Sequence, residues 1–197
     1  VYVSVPFLAP AVARCRLSRQ STILPSSAQP CSPIAVSSMA ISSAFDLLLN
    51  SDRPLSGMDD LIWQSLSAGA ASKRHPWNEA YFSTVDNTAG ASPVPQTRTV
   101  ILRDACREAL TLDLHTDARS GKIAELLENS NVCWTFYAPG TKVQLRASGT
   151  AEVINDHRAD EIWQDVPLAS RSAYVSLKAP AVVVDQDAPP DVSDRDV

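Results

Sequence analysis

The spacing of apolar residues changes period along the chain. Over residues 58–71, MDDLIWQSLSAGAA repeats apolar positions at helical spacing, which predicts a helix with Met58, Leu61, Ile62 and Leu66 as its buried stripe. AFDLLL at 44–49 has the same character. After a polar break at 72–77 the period shortens to two, and AYFSTVD (80–86), RTVILRD (98–104) and ALTLDLHT (109–116) read as strands. In the second, Thr99, Ile101 and Arg103 share one face and Val100 and Leu102 the other. In the third, Leu110, Leu112 and Leu114 oppose Thr111, Asp113 and His115. Residues 103–109 read as the hairpin that pairs these two strands antiparallel.

Ser120 to about Asn129 predicts a helix with Ile123, Ala124, Leu126 and Leu127 on its apolar side. VCWTFY (132–137) is a strand and PGTK (139–142) a turn. VQLRASGTAEVI (143–154) is a long strand with polar residues at every even position from Gln144 to Glu152. Asp156 caps a further helix to about Asp165, and a turn or two more is expected from Leu168 to Leu177. Antiparallel strands with Greek-key-like spacing and short helices predict a mainly β fold, a small β-barrel with flanking helices.

Composition divides the chain. The first 43 residues hold no Asp or Glu, three arginines (Arg14, Arg16, Arg19) and many serines, which is transit-peptide-like. That segment is expected to be a disordered extension outside the fold, or a stretch that is not natural coding sequence, Met39 standing ahead of the domain start. The localisation is cytoplasmic, or organellar if residues 1–38 are a genuine transit peptide. Residues 44–182 form the domain, and 183–197 an acidic, Pro-containing, disordered tail. The net charge of −5 argues against a nucleic-acid partner. No stretch reaches the roughly 20 apolar residues of a membrane span. Four cysteines without CxxC spacing or a His/Cys cluster argue against zinc and against a disulfide framework.

Three segments, in order, offer donors to an anion. Arg98 and Arg103 lie on a strand, Thr116, Arg119, Ser120 and Lys122 gather at a helix entry, and Gln144 stands on the polar face of the long strand. Each has an ordinary reading beside this one. The arginines read as solvated strand-end charges, Ser120 and Lys122 as helix-start residues, Gln144 as a solvent-facing side chain, and His115 as a structural histidine.

The order of these segments resembles the FMN-binding half of the pyridoxamine 5'-phosphate oxidase family over residues 77–154. The resemblance rests on Arg98-Thr-Val-Ile-Leu-Arg103, His115-Thr116, Ser120-Gly-Lys122, Val143-Gln144-Leu145 and Gly149-Thr-Ala-Glu152. It implies an FMN-binding split barrel in a divergent, oxidase-like branch. It further implies FMN as cofactor, a small-molecule substrate giving hydride to flavin N5, and a homodimer with the flavin at its interface. By resemblance Arg98, Ser120 and Lys122 hold the phosphate. The backbone of Val100, Ile101 and Leu102 lies along the ring and Gln144 bonds its edge, while Thr99, Arg103, His115, Thr116 and Arg119 complete the expected cofactor-binding set.

The family pattern is departed from in places. His115 stands for an aromatic residue and Gly121 for an arginine, which Arg119 replaces from two positions earlier. Trp163, Ser170, Arg171 and Tyr174 match the oxidase's substrate-phosphate residues in composition but not in spacing. The family's closing strands would follow Val197, so the chain is expected to be cut short. A cofactor binder without catalysis, holding FMN, haem or a B6 vitamer, and an inactive fragment are the competing readings. His115 and His157 are the only general bases offered. Leu112, Leu114, Trp134 and Phe136 serve either the core or an interface.

Overall fold

The computed structural model describes residues 10–17, 58–87, 90, 92–171, 174 and 179–180. Most of the expected N-terminal extension, the AFDLLL segment and the 183–197 tail lie outside the described residues. The strands are β1 (Pro10–Leu17), β2 (Glu79–Asp86), β3 (Val94–Ile101), β4 (Asp104–Cys106), β5 (Thr111–Asp117), β6 (Asn131–Ala138) and β7 (Val143–Ile154). The helices are α1 (Met58–Ala71), α2 (Gly121–Glu128), α3 (His157–Gln164) and α4 (Leu168–Arg171).

One seven-stranded sheet runs in the order β3-β2-β6-β7-β1-β5-β4, with every pairing antiparallel. Its two outermost strands are joined by only Leu102 and Arg103. The three Cα–Cα steps from Ile101 to Asp104 span at most ~11 Å, so the sheet has to curl until its edges meet. Hydrogen bonds fasten the junction: Leu102 N–H donates to the Asn78 carbonyl at 2.8 Å and Arg103 N–H to the Asp113 carbonyl at 2.9 Å. This corrects the expected hairpin. β3 pairs with β2, and the strand that forms a hairpin with β5 is the short β4, turned through Leu110 at φ 56°. Alternation alone cannot say which neighbour a strand takes.

The interior is a line of rings. Trp134 and Phe136 on β6 stack at 5.6 Å, Phe82 meets Trp134 edge-on at 5.1 Å, and Trp77 tilts against Phe136 at 5.7 Å. Leu102, Leu112 and Leu114 complete it at 0% exposure, so these leucines, Trp134 and Phe136 belong to the core. On α1 the buried set is Trp63, Ser65, Leu66, Ala68 and Gly69, while Met58, Leu61 and Ile62 reach only the rim. The helix's C-terminal half lies against the 72–78 turn. A Cβ at Gly69 would sit 2.9 Å from the Trp77 carbonyl, and Asn78 Nδ2 donates to the Gly69 carbonyl at 2.8 Å. That contact rotates the stripe toward the chain's later half.

Residues 10–17, expected outside the fold, are a strand between β7 and β5. Ala13 and Cys15 point inward at 0% exposure, and Arg14 points outward to a bidentate ion pair with Asp113 at 2.7 Å. Burial pushes the Cys15 thiol up to about 12, so it is held as an inert hydrophobe. Cys106 is disulfide-bonded, which tempers the cysteine expectation.

Ala13→Asp places an unpaired carboxylate in a closed site and is expected to cost more than ~3 kcal/mol, whereas Arg16→Asp on the exposed face costs less than ~1 kcal/mol. Urea unfolding compares them, and equal small effects would show that this segment is not in the sheet.

Candidate functional site

The inward face of the sheet ends in polar residues at one mouth of the barrel. Register puts Arg98 beside Phe82, and Phe82 beside Trp134, so Arg98 shares the core-facing side of its sheet. Thr84 follows Phe82 on the same side of β2 and is 2% exposed. Thr116 follows Leu112 and Leu114 on the inward side of β5 at 5% exposure. The chain then turns at Asp117 and Ser120 into α2, which packs against β2 and β7.

Lys122 gathers the helix entry. Its ammonium donates to the Thr116 hydroxyl and to the Ser120 hydroxyl, each at 2.7 Å. Ser120 is the N-cap of α2 by position but makes no side-chain cap bond, because its oxygen is turned to Lys122. Both hydroxyls accept from Lys122, so each keeps its own O–H to donate elsewhere. Burial lowers the Lys122 pKa first, and the positive charge of Arg98 lowers it further. Two cations therefore converge on one mouth, and Lys122 has no ion pair among the described residues.

Arg98 is held by two residues absent from the expected set. Its guanidinium donates to Glu125 Oε2 at 2.8 Å and to the Thr84 hydroxyl, which also meets Glu125. Glu125 is 9% exposed, whereas Ala124 and Leu127, expected on the buried side of α2, are exposed, Leu127 at 74%. The helix is thus turned so that Glu125, and not Leu127, joins Ile123 and Leu126 on the side facing the barrel. A parity count along β2 marks Thr84 as an inward polar residue. No sequence signal marks Glu125.

The other expected residues separate. Arg119 forms a bidentate pair with Asp117, with Nη2 to Oδ2 at 2.6 Å. Burial alone would raise Asp117, but the hydrogen bonds from Arg119 outweigh it and hold the carboxyl below its ordinary value. That charge is matched, so Arg119 does not supply what Gly121 lacks. Thr99 is exposed, Val100 and Ile101 are half-buried on the edge strand, and Leu102 is sealed in the core. The N–H groups of Leu102 and Arg103 are committed to the barrel junction. Burial raises the Tyr174 phenol, and the charge of Arg103 works against that. Gln144 pairs in register with Tyr137 on the outward face, the side opposite Arg98.

His115 is half-buried, and burial followed by the nearby charge of Arg103 lowers its pKa to about 4. His157 is exposed on α3. Arg171 donates to the carbonyls of Val166, Trp163 and Gln164 at 2.8, 2.9 and 3.0 Å and lies 5.3 Å over the Trp163 ring. It closes the end of α3, and Trp163 meets Tyr174 edge-on at 5.5 Å, a packing cluster and not a phosphate clamp. A cavity of about 560 Å³ opens beside the mouth, bounded by Arg16, Ser83, Thr84, Cys133, Ser148 and their neighbours. Only Thr84 belongs to both, so the donors and not the volume identify the anion site.

Residues 60–155 match the family described as pyridoxamine 5'-phosphate oxidase, FMN-binding domain. Over these residues the chain is similar to that domain. A pyridoxine/pyridoxamine 5'-phosphate oxidase 2 of Arabidopsis thaliana is 32% identical over 124 residues, 57% of this chain and 61% of its own. A Caenorhabditis elegans protein, provisionally named a pyridoxamine 5'-phosphate oxidase, is 26% identical over 151 residues, 77% of this chain and 59% of its own. The chain thus spans about three fifths of these curated relatives. The crystal structure of a pyridoxamine 5'-phosphate oxidase-related, FMN-binding protein from Nostoc punctiforme superposes with a TM-score of 0.52 at 22% identity. That match covers 72% of this chain and 75% of the other, and it establishes the split-barrel fold.

The folded protein refuses a proton at His115 until about pH 4, while the unfolded chain takes one up near 6.5. The contribution is therefore full above 6.5 and is lost as pH falls toward 4. Between about pH 7.5 and 4.5 the protein should lose ~1–2 kcal/mol more than His115→Asn, after discounting for partial exposure. Equal losses in urea titrations would show that the ring titrates as it does unfolded.

Proposed function

We infer that the protein binds FMN and acts as an oxidoreductase of the pyridoxamine 5'-phosphate oxidase-like kind. The observation that carries this is Lys122 holding two buried hydroxyls beside a second convergent cation, Arg98. This donor set fits a phosphate monoester: two cations, the O–H groups of Thr116 and Ser120, and the N-terminal N–H groups of α2. Lys122 and Arg98 would hold the phosphate, with Ser120 and Thr116 donating to it. Bound there, FMN supplies the acceptor for a hydride from a small substrate.

The chain's own part is to position and to exclude water. The sealed core behind Leu102 gives the mouth an apolar floor, and β3, as an edge strand, leaves backbone groups facing outward along Thr99–Ile101. His115, neutral at pH 7 because of its burial, has no hydrogen-bond partner among the described residues and is given no proton-transfer step. Gln144 faces away from Arg98 within one chain, so its contact with a flavin edge requires a second copy. That separation supports the homodimer, with the outward face carrying Tyr81 and Tyr137 at 53% and 46% exposure as the contact.

The purified protein is expected to show a flavin absorption band near one FMN per subunit, and a colourless protein that takes up no added FMN would overturn the reading. Arg98→Ala and Lys122→Ala should each weaken FMN binding by about tenfold or more, since charge-assisted bonds contribute ~1.5–3 kcal/mol. A loss below about threefold, read by flavin fluorescence titration, would remove the phosphate from these residues.

A further inference from the structure

Glu125 is a buried charged group at the barrel mouth that phosphate binding does not call for. It follows Lys122 by one helical turn, is buried, and fixes Arg98 together with Thr84. A carboxylate beside a phosphate is repulsive, so its presence needs a reason. The charges supply one. Arg98 and Lys122 stand close enough for one to depress the other's proton affinity, and Glu125 acts on Lys122 in the opposite sense. Asp117, though ion-paired with Arg119, acts on Lys122 in that same sense. Before ligand arrives, Glu125 is the counter-charge paired directly with Arg98 beside Lys122.

Arg98 also remains competent while so held. Its guanidinium engages one carboxylate oxygen and one hydroxyl through two of its five N–H groups, which leaves three. The planar fork is pinned rather than consumed.

We propose that Glu125 is a resident stand-in for the ligand's phosphate, holding Arg98 in place in the empty pocket and setting the affinity for the anion that joins it. The inference rests on the anion-site reading of Arg98 and Lys122. It makes Glu125 a positioning residue that holds affinity down, so its removal has a signature opposite to that of an ordinary structural residue. Glu125→Gln keeps the shape and the acceptor oxygen but deletes the charge.

The test is calorimetric titration of the full chain with inorganic phosphate, and separately with FMN, beside thermal unfolding. Glu125→Gln is expected to melt lower than the native protein without phosphate and yet to bind phosphate about fivefold or more tightly. A merely structural Glu125 would lower the melting temperature and weaken phosphate binding together, and that result overturns the proposal, as does unchanged affinity. If Glu125→Gln fails to fold alone, recovery on refolding with phosphate supports the proposal and recovery in neither condition sinks it. Native protein that binds neither phosphate nor FMN removes the anion site itself. Native binding that is lost in Lys122→Ala, with no tightening in Glu125→Gln, removes only the role given to Glu125.

Discussion

The two-residue link between β3 and β4 is the constraint on which the rest depends. It belongs to both ends of the sheet at once, so a sheet that would otherwise lie open has to close on itself. Closure makes an inside, which Trp77, Phe82, Trp134 and Phe136 fill, and it makes a mouth, across which α2 lies. Residues from β2, β3, β5 and α2 meet there although they are spread along more than forty positions. Thr84 and Glu125 touch across a separation of 41 residues only because the barrel is round.

At that mouth the competing demands of solvation and charge are nearly balanced. Lys122 loses water on burial and gains two hydroxyl oxygens, and Arg98 gains a carboxylate. Such half-buried groups are stable only when each has a partner, because an unpaired one carries its full desolvation cost. The same economy explains Arg119, which the approach of Asp117 satisfies locally and so withdraws from the shared site. It also explains Arg14 and Asp113 on the outward side of β1 and β5. There burial pushes the Asp113 carboxyl up, and the Arg14 guanidinium works against that without fully cancelling it.

Much of this was legible in the residues, and the failures have physical causes. The twelve-residue alternation of β7 and the Asp156 cap are local signals, and local signals survive folding. The family resemblance pointed to Arg98, Thr116, Ser120 and Lys122, which the fold does bring to one mouth. Strand β1 was misplaced because its setting is Arg- and Ser-rich, yet the small-then-charged alternation of Ala13, Arg14, Cys15 and Arg16 is itself a period-two pattern. Composition drowned a short periodic signal. Glu125 was not legible because a helical glutamate ordinarily faces water, and what buries it is an arginine 27 residues earlier. Leu127, placed inside by its apolarity, is outside for the same reason.

The ring line through the barrel has an optical consequence. Trp63, Trp77 and Trp134 are all shielded, at 6%, 2% and 0% exposure, and the Trp134 indole lies against the Cys15 sulfur. Buried indoles emit at shorter wavelength than hydrated ones, and a sulfur neighbour quenches. The folded barrel should therefore be a dim, blue-shifted emitter that brightens and reddens as water enters. Its integrity is written in its own fluorescence.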